Sequence, residues 1–293
     1  MLNLCHSDFY FFFISVLLLQ TKREKQQFKA GQESCLSVFS VDGELVTQEK
    51  GGIIHIWSPS GGSFSEMGII NCSYVGFCKL DIGPTSGSHE NFIFSPGEDS
   101  TISIISLNSQ KIVSCLQTLS EKLGEVMVIK YFEMEGSPYL LSAYESGHIY
   151  LWDLKTRKIR CELKLDGTPM DMDFDPLRRI GVCGNESHEL TVFKFDSVAN
   201  QLSVEKKFGI TNAGVSRASI RPDGKILALG CWDGRVRLFS WKTLKPLAVL
   251  SEHQQTIHDV YFMKEGISSV GSAGLMAVAG KDQRISLWDV YNS

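Results

Sequence analysis

The chain has 293 residues, 43% of them hydrophobic and 21% charged, with a formal net charge of −4 and a pI near 6.0. Such proportions describe a globular protein long enough to bury a large core. They argue against a nucleic-acid binder, which carries a basic field over at least one face. Eight cysteines are scattered singly, with no C-x-x-C. That pattern fits neither a disulfide framework nor structural zinc, and reads as buried free thiols in a reducing compartment.

Residues 1–33 form an atypical N-terminal segment. Phe9–Leu19 is eleven apolar or nearly apolar residues, whereas a membrane span needs about 20. The length suits a signal-peptide h-region, but Met1–Asp8 has no Lys or Arg and the cluster Lys22–Lys25 lies on the wrong side. No small-x-small cleavage site is found after it. The expectation is therefore no membrane contact. The segment is either a strand-like piece packed on the rest of the chain, able to contribute a closing strand, or an N-terminus foreign to the functional protein.

From Ser34 a repeat takes over. Ala277–Asp289 reads A-V-A-G-K-D-Q-R-I-S-L-W-D, and the same phrase recurs at Leu141–Asp153 and Leu227–Ser240. Each is an apolar run, a polar turn and an alternating strand, the pattern of a half-buried antiparallel sheet. A Trp-Asp pair closing such a strand, repeated at a fixed period, is the mark of WD40 blades in a β-propeller. Aligned on the closing position, the units fall at Trp57, Ile105, Trp152, Phe193, Phe239 and Trp288, with spacings of 48, 47, 41, 46 and 49.

Upstream of each lies a second strand: Glu44–Gln48, Asn91–Ser95, Pro138–Ala143, Ile180–Gly184, Ile226–Gly230 and Leu275–Ala279. Upstream again lies an inner strand: Cys35–Phe39, Ser73–Phe77, Val126–Phe132, Met170–Phe174, Ser216–Ile220 and Ile257–Phe262. Turn residues such as Asp42-Gly43 and Pro222-Asp223-Gly224 separate them. The expectation is an all-β WD40 β-propeller over residues 34–293 with six recognisable blades. Only Asp289–Ser293 come after Trp288, so Gln26–Ala30 or Phe9–Leu19 must lend the last blade its outer strand, or the ring stays open.

Most of the prominent side chains read as structural. Trp57, Trp152 and Trp288 pack between blades, and Asp233 is a turn residue of the repeat. In a complete repeat the Trp joins a hydrogen-bond chain with a His, a Ser or Thr and a turn Asp. The last blade keeps His253, Asp282 and Trp288, with Gly280 where the Ser is expected. His253, His258 and Asp259 lack a third metal ligand, and Asp171 and Asp173 lack a partner base. No Walker loop, G-x-S-x-G, H-E-x-x-H or kinase signature is present. The reading is a non-enzyme without metal or cofactor.

The residues that the repeat does not need are more informative. Those just before the turn Asp point to one rim: Glu98, Glu145, Trp232 and Lys281, with Ser146 or Ser187 at looser turns. Trp232 stands out, because Trp is enriched at interface hot spots; the alternative is that it folds over Trp241 or an adjacent loop. Arg217 occupies the inner-strand position held by Asp171 and Asp259 in neighbouring blades. The candidate partner-binding set is Trp232, Arg217, Lys281, Glu145, Asp171 and Asp259.

Five strings are more specific than any WD dipeptide: Tyr74-Val75-Gly76-Phe77-Cys78, Met170–Asp175, Ile220–Ala228, Trp241–Leu250 and Gly280–Trp288. Over Cys35–Tyr291 the chain resembles the family of guanine nucleotide-binding protein β-subunit-like protein 1 and its fungal ASTRA-associated relatives. The resemblance implies a seven-bladed, non-catalytic propeller whose first blade is here missing or replaced. It further implies protein partners in the co-chaperone machinery (the Triple-T complex) that matures PI3-kinase-like kinases, and a cytoplasmic and nuclear location. A G-protein γ subunit is not expected, since Lys22–Lys29 is too short for a coiled coil. The alternative is a substrate receptor of a cullin-type ubiquitin ligase, although Lys155 and Tyr291 stand where those receptors often carry Arg.

Overall fold

Apolar stretches with period-two alternation, broken every few residues by turn formers, fold here as antiparallel sheets. The computed structural model describes residues 2–8, 11–18, 23–72, 74, 76–85, 90–118, 122–263 and 274–290, and no helix occurs among them. The chain divides into two compact units, Met1–Arg160 and Cys161–Ser293.

The first unit begins with a three-stranded sheet of Leu2–Asp8, Phe11–Leu18 and Arg23–Lys29. Blade 1 is built from Cys35–Val41, Glu44–Glu49, Ile53–Ser60 and Ser63–Asn71. Blade 2 holds Asp81–Pro84, Asn91–Pro96, Ile102–Ser106 and Lys111–Leu116. Blade 3 holds Val126–Met134, Ser137–Tyr144, His148–Asp153 and the outer strand Lys158–Lys164.

In the second unit, blade 4 comprises Pro169–Asp175, Ile180–Asn185, Glu189–Asp196 and Gln201–Gly209. Blade 5 comprises Val215–Ile220, Ile226–Cys231, Val236–Ser240 and Pro246–Leu250. Blade 6 has three strands among the described residues: Ile257–Phe262, Leu275–Gly280 and Ile285–Asp289. Tyr291 lies outside the described residues.

Two irregularities recur from blade to blade. Inner strands slip register between Cys35 and Ser37, Val126 and Val128, Pro169 and Asp171, Val215 and Arg217, and Ile257 and Asp259. A bulge re-aims the side chain that comes after it, so Asp171, Arg217 and Asp259 share one structural position, as the spacing of the repeats implies. The turn before each outer strand ends on a left-handed residue: Gln110, Arg157, Asn200 and Leu244, with φ of 56°, 56°, 52° and 54°.

Two expectations are corrected. The inner strand of blade 2 is Asp81–Pro84, not Ser73–Phe77. Phe77 lies in a bend, 72% exposed beneath the Lys50 ammonium, while Tyr74, Cys78 and Leu80 are buried. Gln48 fixes this connection, donating to Cys78 O and accepting from Leu80 N, each at 2.9 Å. A linker held by a side-chain amide satisfies its backbone without a ladder, and apolar content alone does not separate it from a strand. The second correction concerns the borrowed strand. Phe11–Leu18 and Arg23–Lys29 pair with each other in the N-terminal sheet, and blade 6 has no fourth strand among the described residues. Residues 23–29, too short for a coiled coil, are not helical at all but a strand; Phe28 packs 4.9 Å from Trp57, centroid to centroid.

Neighbouring blades within each unit share apolar clusters. Blades 2 and 3 meet around Phe94, Leu140, Tyr144 and Trp152; blades 4 and 5 meet around Val192, Val215, Leu229 and Trp241. Carboxylates on inner strands add polar stitches. Asp81 accepts from Tyr131 N, Asp171 from Ala218 N and Asp173 from Ile220 N, all at 2.7 Å.

Candidate protein-interaction site

The repeat tryptophans are fixed by hydroxyls. Trp57 donates to Thr47 at 3.0 Å and Trp152 to Ser142 at 2.9 Å, each hydroxyl ten residues upstream on the second strand. Blade 6 solves the same problem differently. Val278 stands ten residues before Trp288, and the hydroxyl comes from Ser286, directly across the strand pair from Val278. Trp288 Nε1 donates to Ser286 Oγ at 2.7 Å, Ser286 meets His253 Nε2 at 2.9 Å, and His253 Nδ1 meets Asp282 Oδ1 at 2.9 Å.

The Asp282 carboxylate can only accept, so His253 carries a proton on Nδ1, and its neutral ring then takes the Ser286 proton at Nε2. The chain is complete, which corrects the expectation of a missing Ser at Gly280. A Cβ on Gly280 would lie 2.4 Å from His253 Nδ1 and 2.5 Å from Asp282 Oδ1. Glycine is what allows that His–Asp contact. Burial works against ionisation of Asp282, but hydrogen bonds from His253 and Gln254 N hold its carboxyl below the usual range. Asp233 is likewise structural: Arg237 grips it at 3.0 and 2.7 Å, with Asn212 at 2.6 Å, and its pKa is drawn down to about 2, chiefly by Arg237.

Beside these networks lies the rim of the second unit. Trp232 opens the turn between the second and third strands of blade 5 and is 41% exposed. Its ring packs closely on Gly214: a Cβ there would sit 2.2 Å from Trp232 Cδ2, and Gly214 has φ +90°. A belt of hydrogen bonds runs along the same loops. Gly214 N donates to Ser187 O (3.1 Å), Trp232 N to Gly214 O (3.1 Å), Thr256 Oγ1 to Trp232 O (3.1 Å) and Lys281 N to Thr256 O (2.8 Å). Of the two alternatives for Trp232, the structure has it folded against the adjacent loop at Gly214; Trp241 is buried and donates to Asp175 at 3.0 Å.

The structure brings Trp232 and Lys281 together through Thr256, and gathers Arg217, Asp171 and Asp259 into one ion cluster. Arg217 lies 3.5 Å from Asp171 and 2.9 Å from Asp259. Asp171 is 7% exposed and serves blade-to-blade stitching; Asp259 is the accessible acid. Glu145 belongs to the first unit, where its backbone N–H donates to Glu125 O at 2.9 Å. Sequence reasoning passed over Thr256, Gly214 and Ser286. Gly214 ends a polar loop that carries a turn signal; Thr256 carries none. Among the described residues no three His, Cys, Asp or Glu are grouped to hold a metal, and burial pushes the Cys183 thiol up to about 12.

This arrangement is that of a WD40 β-propeller protein. A family model for the WD domain, G-beta repeat, matches residues 205–240. The β-propeller domain of Cps50 (Swd1) from Myceliophteria thermophila superposes with a TM-score of 0.78, over 99% of this chain and 94% of that one. At 14% identity that likeness is one of fold.

Closer in sequence is guanine nucleotide-binding protein subunit beta-like protein 1 of Mus musculus, 33% identical over 253 residues, 85% of this chain and 74% of the relative. ASTRA-associated protein 1 of Schizosaccharomyces pombe is 42% identical over 196 residues, 58% of this chain and 49% of that protein. The chain belongs to the family of guanine nucleotide-binding protein subunit beta-like protein 1. It spans about half the length of the fission-yeast relative.

Proposed function

We propose that this chain is a non-enzymatic adaptor in the co-chaperone-assisted maturation of PI3-kinase-like kinases, acting in cytoplasm and nucleus. The observation that carries the adaptor reading is Trp232. A large aromatic side chain packs on Gly214 and rises from a turn whose backbone is tied by the belt of hydrogen bonds, yet it is 41% open to solvent, so docking on it orders little backbone that is not already ordered. The kinase-maturation assignment is supported by relatives named ASTRA-associated protein.

The test is affinity purification of the intact chain from cytosol and from nuclear extract, with mass spectrometry. Kinase-maturation co-chaperones are expected in both. Cullin-ligase subunits or a G-protein γ subunit in their place would overturn the assignment.

A further inference from the structure

Within the first unit a hollow of about 420 Å³ opens where blades 2 and 3 meet, lined by Thr85, Phe92, Ile104, Leu154, Lys155 and Arg157. Ile104 and Leu154 are buried in the core beneath it, and the partly buried Phe92 supplies the accessible apolar patch of its floor. Lys155 and Arg157 are exposed on the lip. They sit on the turn leading to the outer strand, at the far end of His148–Asp153 from the turn that carries Glu145.

That turn does not need cations. Asp153 Oδ1 shapes it by accepting from Lys155 N at 2.8 Å and Thr156 N at 3.1 Å, and Arg157 takes the left-handed position. In blade 4, Asp196 shapes the same turn through Val198 N and Ala199 N, each at 2.9 Å, with Asn200 left-handed. There the matching side chains are Val198 and Asn200. In blades 2 and 5 they are Asn108 and Gln110, and Lys242 and Leu244. Two cations together are peculiar to blade 3.

Neither cation is neutralised among the described residues. The Lys155 ammonium donates to Ser137 Oγ at 2.9 Å. The surrounding protein is net acidic, which disfavours a polyanion such as nucleic acid and leaves a local, two-charge preference. A volume of this order lies within the range of small-ligand clefts, roughly 300–1,000 Å³.

We propose that this hollow docks an acidic peptide segment of a partner protein. One apolar side chain of the segment sits against Phe92. A neighbouring carboxylate takes the planar guanidinium of Arg157 and the ammonium of Lys155. The site is independent of the Trp232 rim.

The test is fluorescence anisotropy of the intact chain with a set of labelled short peptides, each a central Leu, Phe or Trp flanked by Asp and Glu. At least one is expected to bind saturably, and to weaken roughly tenfold or more with Lys155→Glu or with Arg157→Gly, the loss of one charge-assisted contact. Arg157→Gly relieves a left-handed backbone, so its thermal midpoint is expected to be unchanged or raised; weaker binding then cannot come from unfolding. Replacing the central residue by Ser, or the acids by Asn and Gln, is expected to abolish binding. No saturable binding by any member, or equal binding by both variants and the parent, would overturn the proposal. So would binding confined to peptides in which phosphoserine replaces the acids.

Discussion

Blades 3 and 6 hold the same tryptophan in two ways. In blade 3 the strand with Trp152 is covered by Lys158–Lys164, the indole is buried among Tyr144, Tyr150 and Leu140, and one hydroxyl from Ser142 satisfies it. In blade 6 no described strand covers Ile285–Asp289, and Trp288 is only partly buried. There a four-member polar chain from Asp282 through His253 and Ser286 replaces part of what burial supplies. Where apolar cover is complete, one hydrogen bond suffices; where it thins, directional bonds carry more of the local order.

That contrast can be broken from either side. The largest expected effect is Trp152→Ala, which empties a closed site and destabilises by about 3–5 kcal/mol, measured by urea denaturation of the intact chain. Next come the two serines. Ser142→Ala strands a buried indole N–H and costs about 2–3 kcal/mol, whereas Ser286→Ala opens the half-buried Trp288 N–H to water but leaves the buried His253 Nε2 unpaired, and costs about 1–2 kcal/mol. Equal costs in the same titration would end the comparison. Gly280→Ser, which installs the residue the repeat pattern calls for, is expected to lower stability by about 1 kcal/mol through crowding of His253 and Asp282; a differential scan would register the drop in midpoint.

The last effect appears in acid. The folded pKa of Asp233 is about 2, below the unfolded value of roughly 3.9. Its contribution is therefore present above about pH 4 and is lost as pH falls through the folded value. Asp233→Asn should flatten that limb of the denaturation midpoint against pH. An unchanged limb would assign the acid sensitivity to other carboxylates.

Much of the fold was legible in the sequence, for reasons that differ by residue. Six repeats were readable because a closing aromatic or aliphatic residue recurs after an alternating strand, and the shared bulge position of Asp171, Arg217 and Asp259 came from the same spacing. The inner strand of blade 2 was not readable: Tyr74–Cys78 has strand composition, and only Gln48, 30 residues from Cys78, shows that it is a linker. Ser286 was missed because a hydroxyl moved to the facing strand breaks a linear pattern while keeping the spatial one. The Trp232 rim was half legible. Its exposure is expected of a Trp in a turn, but its rigid seat depends on Gly214, 18 residues away and held by packing rather than pattern.

The central claim is that Trp232 is spare for folding and committed to partner capture. It is tested most directly by purifying Trp232→Ala beside the parent, comparing urea midpoints, and quantifying co-purified proteins by mass spectrometry. The account predicts a midpoint within roughly 0.5 kcal/mol of the parent, as for a surface change, with recovery of at least one protein reduced about tenfold or more, as for loss of a hot spot. A variant that unfolds, or one that recovers the same proteins in the same amounts, would contradict it.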